Sequence, residues 1–301
     1  MNFTSKWAGH FAAGGAYMIF GFNIIVCKEL SQSGAISPLG LFTIRAIGAT
    51  LAFWALSLLT PPEKMSGKDL LLTSLASFIG FYLCQMCFLI AITMTTPVDT
   101  SIVTAVTPIF TMFIAAVALG EPITWKKAGG VSLSFAGVIL LILNSVHIGT
   151  STVTTSRPAG ILLMVLNCFC FALYLGAFKR LIARYSVVTF MKWIFTFALV
   201  MSLPFSAGEL VRIRFAAFPA SYLWQLGYLI VFSTLIAYFL VPVGQKILRP
   251  TVVSMYSYLQ PLIASVAGIC LGMDTLGWQK ILAAAAVFVG VVMVNRSRAK
   301  A

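Results

Sequence analysis

Apolar stretches of about twenty residues, the length that crosses a bilayer as a helix, succeed one another along almost the whole chain, broken only by short charged or Pro/Gly-rich runs. Taking those breaks as helix ends predicts ten spans, at approximately 9–27, 38–60, 69–92, 97–119, 126–144, 159–178, 187–205, 221–243, 250–271 and 279–295. Connections are short. The longest, 146–158, is Ser/Thr-rich and separates two groups of five spans. No convincing cleavage site follows Phe11–Cys27, which therefore reads as an uncleaved first span.

The pattern repeats at an offset of 153: Pro97 with Pro250, Ser101 with Ser254, Pro108 with Pro261, Trp125 with Trp278, Lys127 with Lys280, Gly137 with Gly290. Glu121 stands opposite Asp274 at the same spacing. A repeat with an odd number of spans enters the bilayer from the opposite side the second time. Residues 1–145 and 159–301 are therefore expected to be inverted five-helix copies, an arrangement used by alternating-access carriers.

Composition removes the soluble alternatives. The chain is 60% hydrophobic and 9% charged, with mean hydropathy +1.00, where a soluble domain carries about a quarter of its residues as charges. The expectation is an all-α membrane protein surrounded by lipid. Its net charge of +13 does not point to nucleic acid, because the basic residues sit in short loops rather than on an aromatic-studded polar face. Thirteen of them, including Lys64, Lys68, Lys126, Lys127, Arg180 and Lys246, fall on the side of the N-terminus; five, Lys28, Arg157, Arg212, Arg214 and Lys280, fall on the other. By the positive-inside rule both termini are cytoplasmic and the protein sits in the inner membrane.

Six cysteines lie in or beside apolar runs. Cys84-x-x-Cys87 has a redox or zinc spacing but no second such pair, so the cysteines read as small core hydrophobes. No metal or other cofactor is implied.

The stretch Leu119-Gly120-Glu121-Pro122-Ile123-Thr124-Trp125-Lys126-Lys127-Ala128-Gly129-Gly130, with Gly137-Val138 beyond it, resembles the end of an EamA-type domain of the drug/metabolite transporter superfamily. The second copy, Leu271-Gly272-Met273-Asp274 through Trp278 to Gly290-Val291, is similar but has Asp for Glu and Ala283 for the early glycine. Arg45 in Phe42-Thr43-Ile44-Arg45-Ala46 matches the arginine usual in that family's second span, and Lys192 holds the comparable place in the other half. The resemblance implies ten helices in two inverted repeats around a central pathway, with export or exchange of small metabolites. It does not name a substrate.

Candidate transport residues follow from polarity at membrane depth. Thr100, Thr104, Thr107 and Thr111 share one face of span four, and at the repeat offset Val253, Ser257, Gln260 and Ala264 share one face of span nine. Such stripes line a hydrated passage or else bond back to their own helix; Thr104, Thr107, Ser257 and Gln260 are the substrate-binding candidates. Pro108 and Pro261, placed mid-span, each remove a backbone hydrogen bond and are candidate bend points. Asn23, Gln85, Tyr174 and Tyr238 are further candidates, since amides and phenols bind a zwitterion or a flat ring without burying net charge; Asn167 and Tyr258 share that chemistry.

Thr96-Pro97-Val98-Asp99 reads as a helix start. Arg45 enters the membrane from the same side, so that a pair with Asp99 is conceivable, and it calls for a partner, a wet cavity or a substrate carboxylate. Lys192 reads as a side chain reaching back to the interface. Two small-residue ridges, Gly130/Ser134/Gly137 and Ala264/Gly268/Gly272, read as packing faces and leave a homodimer open.

No HExxH, aspartate-rich or Ser-elbow motif supports an intramembrane enzyme, no filter loop supports a channel, and no length remains for a scaffold's extra domain. The expected function is transport of amino-acid-like or other neutral or zwitterionic solutes. A cationic-drug or nucleoside exporter ranks second, the former because span one lacks a carboxylate before Glu29.

Overall fold

The computed structural model describes residues 3–119, 125–147, 156–213, 215, 218–272 and 277–296, which form helices joined by short turns and loops, with no strand among them. The Leu-Gly-Glu turn at 120–124 and its second copy at 273–276 lie outside the described residues, as do most of the connection 146–158, Arg214 and the basic C-terminus.

Helix starts are written locally. Ser37, Ser66, Thr96 and Ser186 each cap a helix by accepting the backbone N–H three residues on, and Pro38, Pro97, Pro158 and Pro250 occupy first helical positions, where the missing N–H costs nothing. The first half contains α1 (Phe3–Gln32), α2 (Pro38–Leu58), α3 (Gly67–Ser77), α4 (Cys84–Met94), α5 (Pro97–Thr104), α6 (Thr107–Leu119) and α7 (Trp125–His147). The second contains α8 (Pro158–Ala177), a short α9 (Lys179–Arg184), α10 (Val187–Leu210), α11 (Ala220–Tyr228), α12 (Ala237–Ile247), α13 (Pro250–Met255), α14 (Leu259–Cys270) and α15 (Trp278–Arg296).

Among the described residues, eight continuous stretches are long and apolar enough to cross a membrane; two shorter apolar helices, 129–140 and 278–290, lie within α7 and α15. Leu71 and Trp224 are 72% and 80% exposed, as side chains facing lipid are. This is a multi-pass membrane protein.

Two departures from regular helix recur at the repeat offset. A π-helical turn at Phe78–Leu83 joins α3 to α4, and another at Leu229–Ile236 joins α11 to α12. Spans four and nine are each interrupted: i−3 bonds from Ala105 and Val106 separate α5 from α6, and a 3₁₀ turn at Tyr256–Tyr258 separates α13 from α14. Pro108 and Pro261 therefore stand in the first turn after a break, not in mid-helix. The proline ring displaces the carbonyl four residues earlier, here that of Thr104 or Ser257.

The principal helix pairs are preserved when the halves are exchanged. α1 lies on α12 and α14 as α8 lies on α4 and α6, while α2 pairs with α10 and α7 with α15. In the last pair, Gly137 faces the Ala283 carbonyl, Gly290 faces the Gly130 carbonyl, and Ser134 donates to the Val287 carbonyl at 3.1 Å. Ascending positions on one helix meet descending positions on the other, so α7 and α15 run antiparallel. The same holds for α2 and α10: Gly40 lies against Glu209, and Phe53 stacks on Phe195 with ring centroids 5.6 Å apart. The first small-residue ridge is thus filled within the chain, and in the second Gly268 packs on Pro97 and Ile25 while Gly272 faces open space.

Candidate functional site

The π turns deliver Gln85 and Tyr238 to the centre of the molecule. Each is the second residue of the helix after its turn, each is the other's repeat counterpart, and the Gln85 side-chain amide donates to the Tyr238 hydroxyl. A π turn adds a residue to the local repeat and so rotates the rest of the helix about its axis. Gln85 and Tyr238 are buried.

Beside them is a cavity of about 60 Å³, room for a few waters. Three repeat-related pairs line it: Gln85 with Tyr238, Thr104 with Ser257, and Thr107 with Gln260. Asn23 from α1 and Asn167 from α8 complete its polar lining. Its apolar lining is mainly aromatic, from Tyr17, Phe20, Phe88 and Phe171. Phe20 and Tyr238 lie with centroids 5.1 Å apart. The rest of the threonine stripe is spent locally: Thr100 bonds Thr95 at 2.7 Å, and Thr111 bonds the Thr107 carbonyl at 2.9 Å.

Arg45 and Tyr174 do not line this cavity. Tyr174 is fully buried edge-on to Phe81, its Cβ against Gly80, and its hydroxyl makes no hydrogen bond among the described residues. Arg45 faces a separate void of about 10 Å³ behind Gln85 and Tyr238. Its Nε donates to Thr234 at 2.8 Å, and its terminal nitrogens lie 3.5 Å from Gln85 Oε1 and 3.5 Å from Ser233 Oγ.

All of those partners are neutral, and the conceivable Arg45–Asp99 pair does not form. Asp99 lies 3.5 Å from Lys280 and accepts from Ser156 at 2.5 Å. Asp69 is held by Arg184, Glu63 by the Ser186 N–H, and Glu209 by Ser37, while Glu29 is exposed. Among the described residues, no carboxylate neutralises Arg45. Lys192 is also accounted for: its ammonium sits 4.6 Å from the Trp54 ring centre, a cation–π contact away from the cavity.

Polar seams tie the halves together at both ends. On one side, Asp99 and Thr96 meet Lys280 and Ser156, and the Arg157 N–H bonds the Met94 carbonyl. On the other, Asp69 accepts across the halves from Arg184 at 2.7 Å and from Tyr185 at 2.6 Å; within the second half, Lys246 donates to the Tyr185 carbonyl and Lys179 to the Gln245 carbonyl. Burial and the nearby Arg249 charge draw Lys179 below its usual ammonium range. Among the described residues, no group of three or more His, Cys, Asp or Glu is placed to hold a metal.

Residues 7–143 and 158–296 each match the model of the EamA-like transporter family. The chain belongs to that family. Its relatives include a Bacillus subtilis (strain 168) protein named "Uncharacterized transporter YcxC", 26% identical over 65% of this chain and 64% of that one. A Chlamydia muridarum (strain MoPn / Nigg) protein named "S-adenosylmethionine/S-adenosylhomocysteine transporter" is 25% identical over 79% of this chain and 76% of its own. The match thus spans less than two thirds of the Bacillus relative's length. One solved crystal structure superposes with a TM-score of 0.63 at 16% identity, covering 97% of this chain and 96% of that one, which shows the fold alone.

In this EamA-like transporter the aromatic wall and the Arg45 partners Ser233 and Thr234 carry no signal that sets them apart in the sequence. Each is one more apolar or small polar residue in a span, and only the rotation of its helix gives it a role. Lys280, counted as a loop charge, is buried instead.

Proposed function

We propose that this transporter moves amino-acid-like metabolites, neutral or zwitterionic overall, across the cytoplasmic membrane by alternating access, in export or exchange. In this reading ten spans form two inverted repeats, 1–145 and 159–301, joined through 146–158, with both termini cytoplasmic. The antiparallel run of repeat-related helices and the loop-charge asymmetry support that topology.

The observation that carries the functional reading is the cavity built from repeat-related polar pairs between two seams. At about 60 Å³ it is smaller than a ligand site of ordinary size, so a metabolite enters only when one seam opens and the helices part. The breaks before Pro108 and Pro261 supply bend points next to the cavity wall. The polar lining is amide and hydroxyl, which matches a zwitterion better than a cation, and the two compounds in the Chlamydia relative's name both carry an α-amino-acid group.

Uptake and efflux in proteoliposomes, across amino acids, S-adenosylhomocysteine, nucleosides and cationic dyes, test this reading. Saturable movement of the amino-acid-like class, reduced in a Thr107→Val/Gln260→Leu variant of unchanged melting temperature, is expected. Movement of the dyes alone would replace this reading by the cationic-drug alternative.

A further inference from the structure

Arg45 has donors only and no acceptor, and that fixes the direction of every hydrogen bond leading away from it. One path runs from its guanidinium to Gln85 Oε1, leaving the Gln85 amide nitrogen to donate to the Tyr238 hydroxyl. Having accepted there, Tyr238 directs its own proton onward. A second path runs through Ser233, which donates to Asn23 Oδ1 at 2.5 Å. The Asn23 amide nitrogen then has no protein partner among the described residues and borders the cavity. Both relays therefore end in hydrogens presented to the cavity, from the corner where α1, α4 and α12 meet.

The α5/α8 corner has the opposite polarity. The Asn167 amide nitrogen has two hydrogens, and it donates to the Cys84 carbonyl at 2.8 Å and to the Cys84 sulfur at 3.0 Å, so the atom it offers the cavity is Oδ1. The Thr104 hydroxyl spends its proton on the Ser101 carbonyl at 2.7 Å and keeps only lone pairs. Ser257, 1% exposed and without a hydrogen-bond partner among the described residues, adds a hydroxyl free to turn either way. The cavity thus has a donor end backed by a buried cation that no carboxylate among the described residues neutralises, and an acceptor end.

Building on the proposed amino-acid reading, we infer that this is a two-ended zwitterion site: the substrate carboxylate binds at Asn23, Gln85 and Tyr238, and its ammonium binds at Asn167 Oδ1 and Thr104 Oγ1. Arg45 is a positioning residue that sets the sign of the donor end from one hydrogen bond behind it. A charge-assisted bond is stronger than a neutral one, so removing either substrate charge weakens binding more than changing the side chain beyond it.

The test is equilibrium binding to purified protein in lipid nanodiscs of L-methionine, L-methioninamide, N-acetyl-L-methionine and S-adenosylhomocysteine. Methionine and S-adenosylhomocysteine are expected to bind, and each singly charged methionine derivative to bind at least about tenfold more weakly. Asn23→Asp, of nearly the same shape, is expected to reverse the order so that methioninamide outcompetes methionine, which no loss of packing produces. Tyr238→Phe, a milder change, is expected to weaken methionine several-fold and leave methioninamide unchanged. Equal binding of methionine and methioninamide, or an unchanged order in both variants, overturns the two-ended site while leaving an amino-acid carrier standing. Binding of none of the four probes by a folded protein overturns both.

Discussion

Ser134 donates its hydroxyl proton to the carbonyl of Val287, the residue 153 positions on that is its own counterpart in the second repeat. Two equivalent positions touch only where the relation that exchanges them passes between them. Gln85 and Tyr238 make the same kind of contact, so one axis runs from the α7/α15 interface into the cavity.

The α7/α15 contact is close because it is built from glycine. A Cβ on Gly290 would overlap the Gly130 carbonyl and the Ser134 hydroxyl, whereas one on Gly227 meets nothing within 4 Å. Gly290→Ala is expected to cost about 1–3 kcal/mol of overpacking and to lower the melting temperature. Gly227→Ala is expected to be neutral or slightly stabilising, and thermal unfolding of both in detergent makes the comparison.

The interruptions beside the cavity place Pro108 and Pro261 at early helical positions, where proline costs little. Pro261→Ala should therefore leave the melting temperature unchanged or slightly raised. Because it lets the Ser257 carbonyl re-form its helical bond, turnover in proteoliposomes is expected to fall while substrate affinity holds. Equal turnover would remove the bend from the mechanism.

Cys84 lines the cavity and is buried, whereas Cys270 is exposed. In a Cys270→Ser background, a small membrane-permeant maleimide is expected to react slowly at Cys84 and to block transport, with a transported amino acid slowing the reaction further. Labelling that substrate does not slow would count against Cys84 lying on the substrate path.

Glu63 gives a pH signature outside the membrane. Burial alone would raise its carboxyl pKa, but the Ser186 N–H and hydroxyl, Thr189 and the Lys246 charge together bring it below the ordinary 4.5. A depressed folded pKa means that the contribution is complete above about 4.5 and is lost as pH falls through the folded value. Melting temperatures of wild type and Glu63→Gln should therefore differ near neutral pH and converge below pH 4.5. A gap that stays constant down to pH 3 would show the carboxylate to be energetically silent.

Features carried by neighbouring residues were legible in the sequence. Ser/Thr-Pro helix starts, membrane-length apolar runs and the 153-residue offset need no knowledge of the fold, and the Thr104/Thr107 stripe follows from helical spacing alone. Rotation about a helix axis was not legible. Tyr174 and Tyr238 are both phenols at membrane depth, yet a π turn directs one to the cavity, while the other is sealed against Phe81. Nor does spacing along a chain reveal which helices meet. Arg45 and Asp99 therefore invite pairing on paper, while Lys280, far along the chain, takes the acid.

The order in which the chain is made gives Arg45 a further consequence. Its Thr234 partner lies 189 residues downstream, and Ser233, which also completes Asn23, lies 210 residues beyond that asparagine. A nascent chain with only its early helices inserted holds a cation at membrane depth with nothing built to receive it. During that interval the arginine must reach for headgroups, draw in water, or keep its helix near the insertion machinery. Biogenesis, more than the finished fold, is where an apolar residue at position 45 would be an advantage.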